Sequence, residues 1–283
     1  MGLGLTNTIG DNREYILATP GLKAPVTCLD LDGSNDYYYQ GDRPVIDVEK
    51  GFTLVACVKT DSASTADTII GWDNALSSPL RANACALTVG GNYLQWNVNY
   101  GQNAGETGGV DWDDGGFGKR TTGSISADTW YHVVCNAKYD AAADTWSTNF
   151  WLNGTKQTGT WSHSAYAANE FTFNSKLSLG TWSIDTGEPH WGGRINMVGL
   201  YKGTIPSSGV TFLYNGGTPK SPLHYRTLLG STENRNIGIT PYGNASDLQA
   251  YFPGETINLV ESLDGGVWTY KNTGTTQSDY MGS

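Results

Sequence analysis

Residues 130–154 read WYHVVCNAKYDAAADTWSTNFWLNG, and this stretch decides the fold. Over 131–139, Tyr131, Val133, Cys135, Ala137 and Tyr139 alternate with His132, Val134, Asn136 and Lys138. Side chains alternate faces along an extended chain, so the spacing predicts a strand with one largely apolar face. Residues 140–144 are small and polar and read as a loop. A second strand follows, with Phe150 and Leu152 on one face and Asn149 and Trp151 on the other. Asn153-Gly154 then makes a turn, since a type I′ turn needs positive φ at both central residues and Asn-Gly tolerates it. Such a pair cannot bury its apolar face alone, so other strands must assemble on it.

The rest of the chain supplies them. Phe52, Leu54, Ala56 and Val58 alternate with Thr53, Val55, Cys57 and Lys59. Leu29 and Leu31 share a face ahead of a turn over 33–36, and Tyr37-Tyr38-Tyr39 opens the next strand. Further strands are expected over 68–72, 84–89, 93–99, 171–173 and 176–182, with Gly90-Gly91-Asn92 as a hairpin turn. Residues 101–122 hold seven glycines and the acidic run Asp111-Trp112-Asp113-Asp114, and read as a long surface loop. Residues 184–193 are a second polar loop. Residues 194–201 carry apolar side chains on both faces, Ile195, Met197 and Tyr201 on one and Val198 and Leu200 on the other, as expected of a strand covered on both sides. Residues 207–217 are the one expected helix, with Ser207 or Ser208 as its cap and Asn215-Gly216-Gly217 as its end.

This plan gives three parts: an N-terminal arm over 1–25, a β-sandwich over 26–217, and a C-terminal extension or small β appendage over 218–283. The arm carries Leu3, Leu5, Ile9, Tyr15, Ile16 and Leu17, and the extension carries only short apolar runs. Both are expected to dock on identical copies or a larger shell, with folding back onto the sandwich as the alternative.

Composition agrees with an all-β protein of polar surface. The 283 residues include 37 Gly, 10 Trp and 16 Tyr, with 16% charged residues. A net charge of −10 speaks against a general phosphate-binding surface, which relies on clustered Lys and Arg, so no nucleic acid is expected. No run reaches the roughly 18 apolar residues of a membrane span. The N-terminus shows no basic segment followed by an apolar run, so no signal peptide is expected, although Met1-Gly2 through Thr6 fits a myristoylation pattern. Cys28, Cys57, Cys85 and Cys135 are widely spaced and read as buried thiols.

The order of these segments resembles the laminin-G-like or concanavalin-A-like lectin and glucanase family, pentraxin-type domains included. The matching pieces are Leu29-Asp30-Leu31-Asp32-Gly33-Ser34-Asn35-Asp36-Tyr37, then 52–59, Trp130-Tyr131-His132-Val133-Val134 and Trp151-Leu152-Asn153-Gly154. Leu177-Ser178-Leu179-Gly180, Gly193–Tyr201 and Leu213-Tyr214-Asn215-Gly216-Gly217 close the set. The resemblance implies an antiparallel two-sheet jelly-roll sandwich, with extensions at both ends. It departs at Asn196, where family members often carry an acidic residue. Lectin-like domains of this plan also resemble those on bacteriophage virions.

No catalytic pattern accompanies the fold. Glycoside hydrolysis needs two carboxylates about 5–10 Å apart, and the E-x-D-x-x-E arrangement of the laminarinase-like branch is absent. His132, His163, His190 and His224 form no zinc pattern. Asp111, Asp113 and Asp114, and separately Asp185 and Glu188, are candidate Ca²⁺ ligands, with solvated acidic loops as the alternative. Trp112, Trp161, Trp182 and Trp191 are candidate sugar platforms, with core packing as the alternative.

The sequence therefore reads first as a non-catalytic virion structural protein, a capsid decoration or fibre component. Its expected partners are identical subunits, other virion proteins or host glycans. The second reading is a carbohydrate-binding lectin or adhesin located outside the cell, and the third a glycoside hydrolase with unrecognised carboxylates.

Overall fold

The computed structural model describes residues 28–40, 46–65, 67–72, 84–100, 116–143, 145–163, 177–181, 190–219, 248–252 and 268–271. The chain forms strands β1 (Leu29–Asp32), β2 (Tyr37–Gln40), β3 (Phe52–Thr60), β4 (Asp67–Trp72), β5 (Ala84–Gly90), β6 (Tyr93–Tyr100) and β7 (Gly116–Arg120). β8 (Trp130–Asp140), β9 (Thr145–Leu152), β10 (Thr155–Lys156), β11 (Gly159–His163), β12 (Ser178–Leu179) and β13 (Gly192–Lys202) follow. Helix α1 (Ser207–Tyr214), a 3₁₀ turn (Asn215–Gly217), β14 (Leu248–Phe252) and β15 (Trp268–Lys271) complete the order.

The strands build two antiparallel sheets, the sandwich that the alternation and the resemblance imply. One sheet runs β1-β13-β3-β8-β9-β10, with β14 also on β13; the other runs β11-β7-β6-β5-β4-β12-β2-β15. β8 and β9 pair from Val133↔Leu152 to Asp140↔Thr145, with Asn153 and Gly154 at φ 49° and 74° in the turn beyond. Gly91 and Asn92, at φ 56° and 67°, make the β5–β6 hairpin.

Between the sheets lie Phe52, Leu54, Val133, Cys135 and Phe150 from the first and Ile70, Leu87, Trp96, Leu179 and Tyr38 from the second, all buried in one cluster with the half-buried Leu152 against it. Trp96 also donates its indole N–H to the Asn136 carbonyl at 3.2 Å, bridging the two sheets.

The outer face of the first sheet is covered too. Val55, Val134, Trp151 and Tyr201 pack with Ile205, Val210 and Leu213 of the helix segment. The set that alternates with Phe52 and Leu54 is therefore buried as well, apart from the half-exposed Lys59. Helix α1 begins differently from expectation: Pro206 is its N-cap, and neither Ser207 nor Ser208 caps it. It ends as expected, on Asn215 in the left-handed region at φ 47°.

β13 departs from simple alternation. Its pairing with β3 shifts register between Asn196 and Gly199, and Met197 has φ 53°. An inserted residue turns a strand over locally. Ile195 and Val198 consequently reach the central core while Met197 turns to the helix side, so Ile195 and Met197 do not share a face.

Three other expectations change. The loop expected over 101–122 contains β7. The strand expected over 176–182 shortens to β12 followed by an isolated Thr181↔His190 bridge. Two pieces of the C-terminal extension join the sandwich: β14 pairs with β13 and β15 with β2. For these pieces the chain folds back on itself. The arm over 1–25 and residues 171–173 lie outside the described residues.

Candidate functional site

The inner row of the second sheet runs Trp96, Leu87, Ile70, Leu179, Tyr38 across five strands. Alternation sends the adjacent row outward. That row reads Gly118, Asn97, Ala86, Gly71, Ser178 and Tyr39 across β7, β6, β5, β4, β12 and β2. Its middle is made mostly of small side chains, with Tyr39 at the β2 end. Gly118 is fixed by packing, since a Cβ there would collide with the Trp96 carbonyl.

Polar groups are recessed in this floor. Asn97 donates from Nδ2 to the Thr88 hydroxyl at 3.0 Å. Thr88 stands opposite Thr68 on β4. Asn97 is 4% exposed, yet among the described residues its Oδ1 has no partner, and neither has the buried Thr68 hydroxyl. Buried polar atoms are rarely left so, because each unsatisfied one costs about 1–3 kcal/mol. Both oxygens are buried acceptors, as Ala86, Gly71 and Ser178 of the same row are buried.

The β2 end of the face carries a short aromatic ladder. Tyr37 and Tyr39 lie on the same side of β2, their rings 6.3 Å apart. The His190 ring stacks on Tyr37 at 5.6 Å and 11°. Burial lowers the His190 pKa, and the charges of Asp32 and Asp36 partly oppose that shift. The turn before β2 is organised by Asp32, whose Oδ1 accepts from the Ser34 and Asn35 N–H groups at 2.8 and 3.2 Å.

Of the tryptophans singled out by the sequence, Trp191 is fully buried in the central core and donates its indole N–H to Thr60 Oγ1 at 3.3 Å. It is a packing residue here and offers no face to a sugar. Trp161 pairs with Gly118 in the β11–β7 register. Trp112 and Trp182 lie outside the described residues, as do Asp111, Asp113, Asp114, Asp185 and Glu188. Among the described residues no three of His, Cys, Asp and Glu come together. Alternation over Tyr37-Tyr38-Tyr39 could have identified the Tyr37–Tyr39 face. Asn97 and Thr68 carried no signal, since only the assembled sheet makes them neighbours.

The first sheet has its own charged edge. Arg194 donates from Nε to Asp30 at 3.0 Å, and Lys59 lies 3.6 Å from Asp128. Burial, followed by the charges of Asp30 and Asp128, raises the Asp61 pKa.

No family model matches this sequence, and no curated protein matches it. Among solved structures, it is similar to a candidate carbohydrate-binding protein from Bacteroides ovatus (18% identity, TM-score 0.46). The match covers 88% of this chain, which spans 61% of that one. It is also similar to domain 4 of an extracellular arabinanase from Geobacillus stearothermophilus solved with arabinotriose (17% identity, 72% of this chain and 81% of that one, TM-score 0.43). A third is the heptameric pentraxin of Limulus polyphemus (11% identity, 87% and 95%, TM-score 0.46).

Proposed function

We propose that this protein is a non-catalytic carbohydrate-binding sandwich, and that the outer face of its second sheet is the sugar site. The observation that carries the reading is the pair of buried, unpartnered oxygens, Asn97 Oδ1 and Thr68 Oγ1, set in a floor of small residues. A sugar ring presents an apolar face and a rim of hydroxyl donors. The tyrosines suit the first and the two oxygens the second. A virion setting, placed first by the sequence, has no residue of the described structure behind it, so the glycan reading leads.

The test is a glycan array with the full-length protein, followed by calorimetry on the best glycan. Asn97→Ala and Tyr39→Ala are each expected to weaken binding at least tenfold, with no sugar released from the glycan. Array binding that both variants retain unchanged would move the site elsewhere, and an array without any binding would end the reading.

A further inference from the structure

We propose that Cys57, His132 and Met197, beneath helix α1 on the opposite side of the molecule's core from the sugar face, bind one soft monovalent metal ion, Cu(I). Three separate features of the backbone bring these side chains together. Cys57 stands directly opposite His132 across β3 and β8. The His132 N–H donates to Asn153 Oδ1 at 2.9 Å, and its carbonyl accepts from the Asn153 N–H at 2.8 Å. Both backbone groups therefore point away from β3, which makes Cys57 and His132 a non-hydrogen-bonded pair. In such pairs the Cα atoms approach to about 4.5 Å and the side chains are closest. Met197 joins from β13, where its left-handed φ of 53° turns it onto the same face and into contact with Cys57.

A non-glycine residue held in the left-handed region is strained, and such strain collects at functional positions. His132 gives an independent sign. It is 1% exposed, and among the described residues neither ring nitrogen has a hydrogen-bond partner. A neutral imidazole keeps a lone pair on one ring nitrogen that a metal ion can take. The half-buried Trp130 and Tyr214 pack against Cys57 and Met197, and the Tyr214 ring lies 5.9 Å from that of His132.

The ligand chemistry selects the ion. Thiolate, thioether and imidazole are soft or borderline donors that favour Cu(I), whereas Ca²⁺ and Mg²⁺ need several oxygens. Charge decides against a divalent ion. One thiolate neutralises Cu(I), while Zn²⁺ on the same set would leave a net positive charge in an apolar pocket, which is costly. Binding displaces the thiol proton: Cys57–SH and Cu⁺ give Cys57–S–Cu and one released H⁺, with no change in oxidation state.

The test titrates reduced, full-length protein with Cu(I) under anaerobic conditions, against bathocuproine disulfonate as the competing chromophore. The expected result is one copper retained per chain, with sulfur and imidazole nitrogen both present in the copper X-ray absorption spectrum. Cys57→Ser and His132→Gln should each weaken retention at least tenfold, and Cys28→Ser should not. Met197→Leu keeps the volume of the site and should remove one sulfur from the spectrum, so it carries the test if the other two variants fail to fold. The proposal is overturned if the folded wild type surrenders all copper to the competitor. It is equally overturned if Cys57→Ser or His132→Gln, folded, retains copper as the wild type does, or if Met197→Leu leaves the spectrum unchanged.

Discussion

Thr53 and Asn136 face each other across β3 and β8, and their side chains hold the loop that leads into helix α1. The Thr53 hydroxyl lies 2.7 Å from Asn136 Oδ1 and 2.8 Å from the Gly203 carbonyl oxygen, either of which can take its single proton. It accepts from the Ile205 N–H at 3.0 Å, while Asn136 Nδ2 donates to the Ile205 carbonyl at 2.8 Å. These groups are buried, so the network stabilises only while every member is satisfied. Asn136→Leu should orphan the Ile205 carbonyl and weaken the hold on Thr53. With about 1–3 kcal/mol for each orphaned buried group, the urea midpoint should fall clearly. Proteolysis should cut first near residues 203–206. A midpoint equal to the wild type would show that the helix is held by its apolar contacts alone.

Gly154 links the β9 turn to the same helix. Its φ is 74°, and a Cβ there would stand 2.6 Å from Tyr214 Cδ1. A left-handed backbone costs an L-residue about 1–2 kcal/mol, and the Tyr214 ring would have to move as well. Gly154→Ala should therefore destabilise by more than the backbone term alone. The double variant Gly154→Ala, Tyr214→Ala should show less than the sum of the two single effects, as expected for residues in contact. Strict additivity in denaturant unfolding would mean that the ring gives way freely.

The sequence made the inner faces legible because one period governs them. Leu29 and Leu31, Phe52 and Leu54, Val133 and Cys135 all alternate, and all reach the core. The helix cover was harder to read. Val55, Val134 and Trp151 occupy what alternation alone assigns to an outward face, and α1 is short and starts without a side-chain cap, so nothing local announced that it would bury them. The bulge at Met197 left no trace, since methionine has no preference for positive φ. Tryptophans were selected as sugar platforms by residue type, but Trp191 is placed by packing, and the sugar face arises from register between strands far apart in sequence. Asn97 and Ser178 become parts of one row only when β6, β5, β4 and β12 pair in order.

β1 and β14 share one edge of β13. β1 takes Gly192 to Ile195, and β14 takes Val198 to Tyr201. Deleting residues 221–283 removes β14 and β15 together and uncovers the edge at 198–201 and the outer edge of β2. Unpaired edges recruit other chains. The truncated protein should unfold at lower denaturant and form concentration-dependent aggregates in light scattering. A truncated monomer of unchanged stability would show that neither strand contributes to holding the sandwich.

Asp61 follows β3 and sits among charges of its own sign. Its N–H donates to the Gly192 carbonyl at 3.2 Å, and Gly192 lies in the strand that carries Arg194. Burial, then the nearby Asp30 and Asp128 carboxylates, raises its pKa above the ordinary 3.8, against the opposing pull of Arg194 and Lys59. A carboxyl raised on folding makes the native state bind more protons than the unfolded chain between the two pKa values. Stability from this group is thus present below about 3.8 and is lost as pH rises through the folded value. At neutral pH, the ionised Asp61 works against folding. Asp61→Asn should therefore raise the melting temperature at pH 7, and the gain should shrink as pH is lowered toward 3. Thermal unfolding at a series of pH values checks both parts. A variant less stable than the wild type at pH 7 would mean that attraction to Arg194 and Lys59 outweighs burial and the like charges.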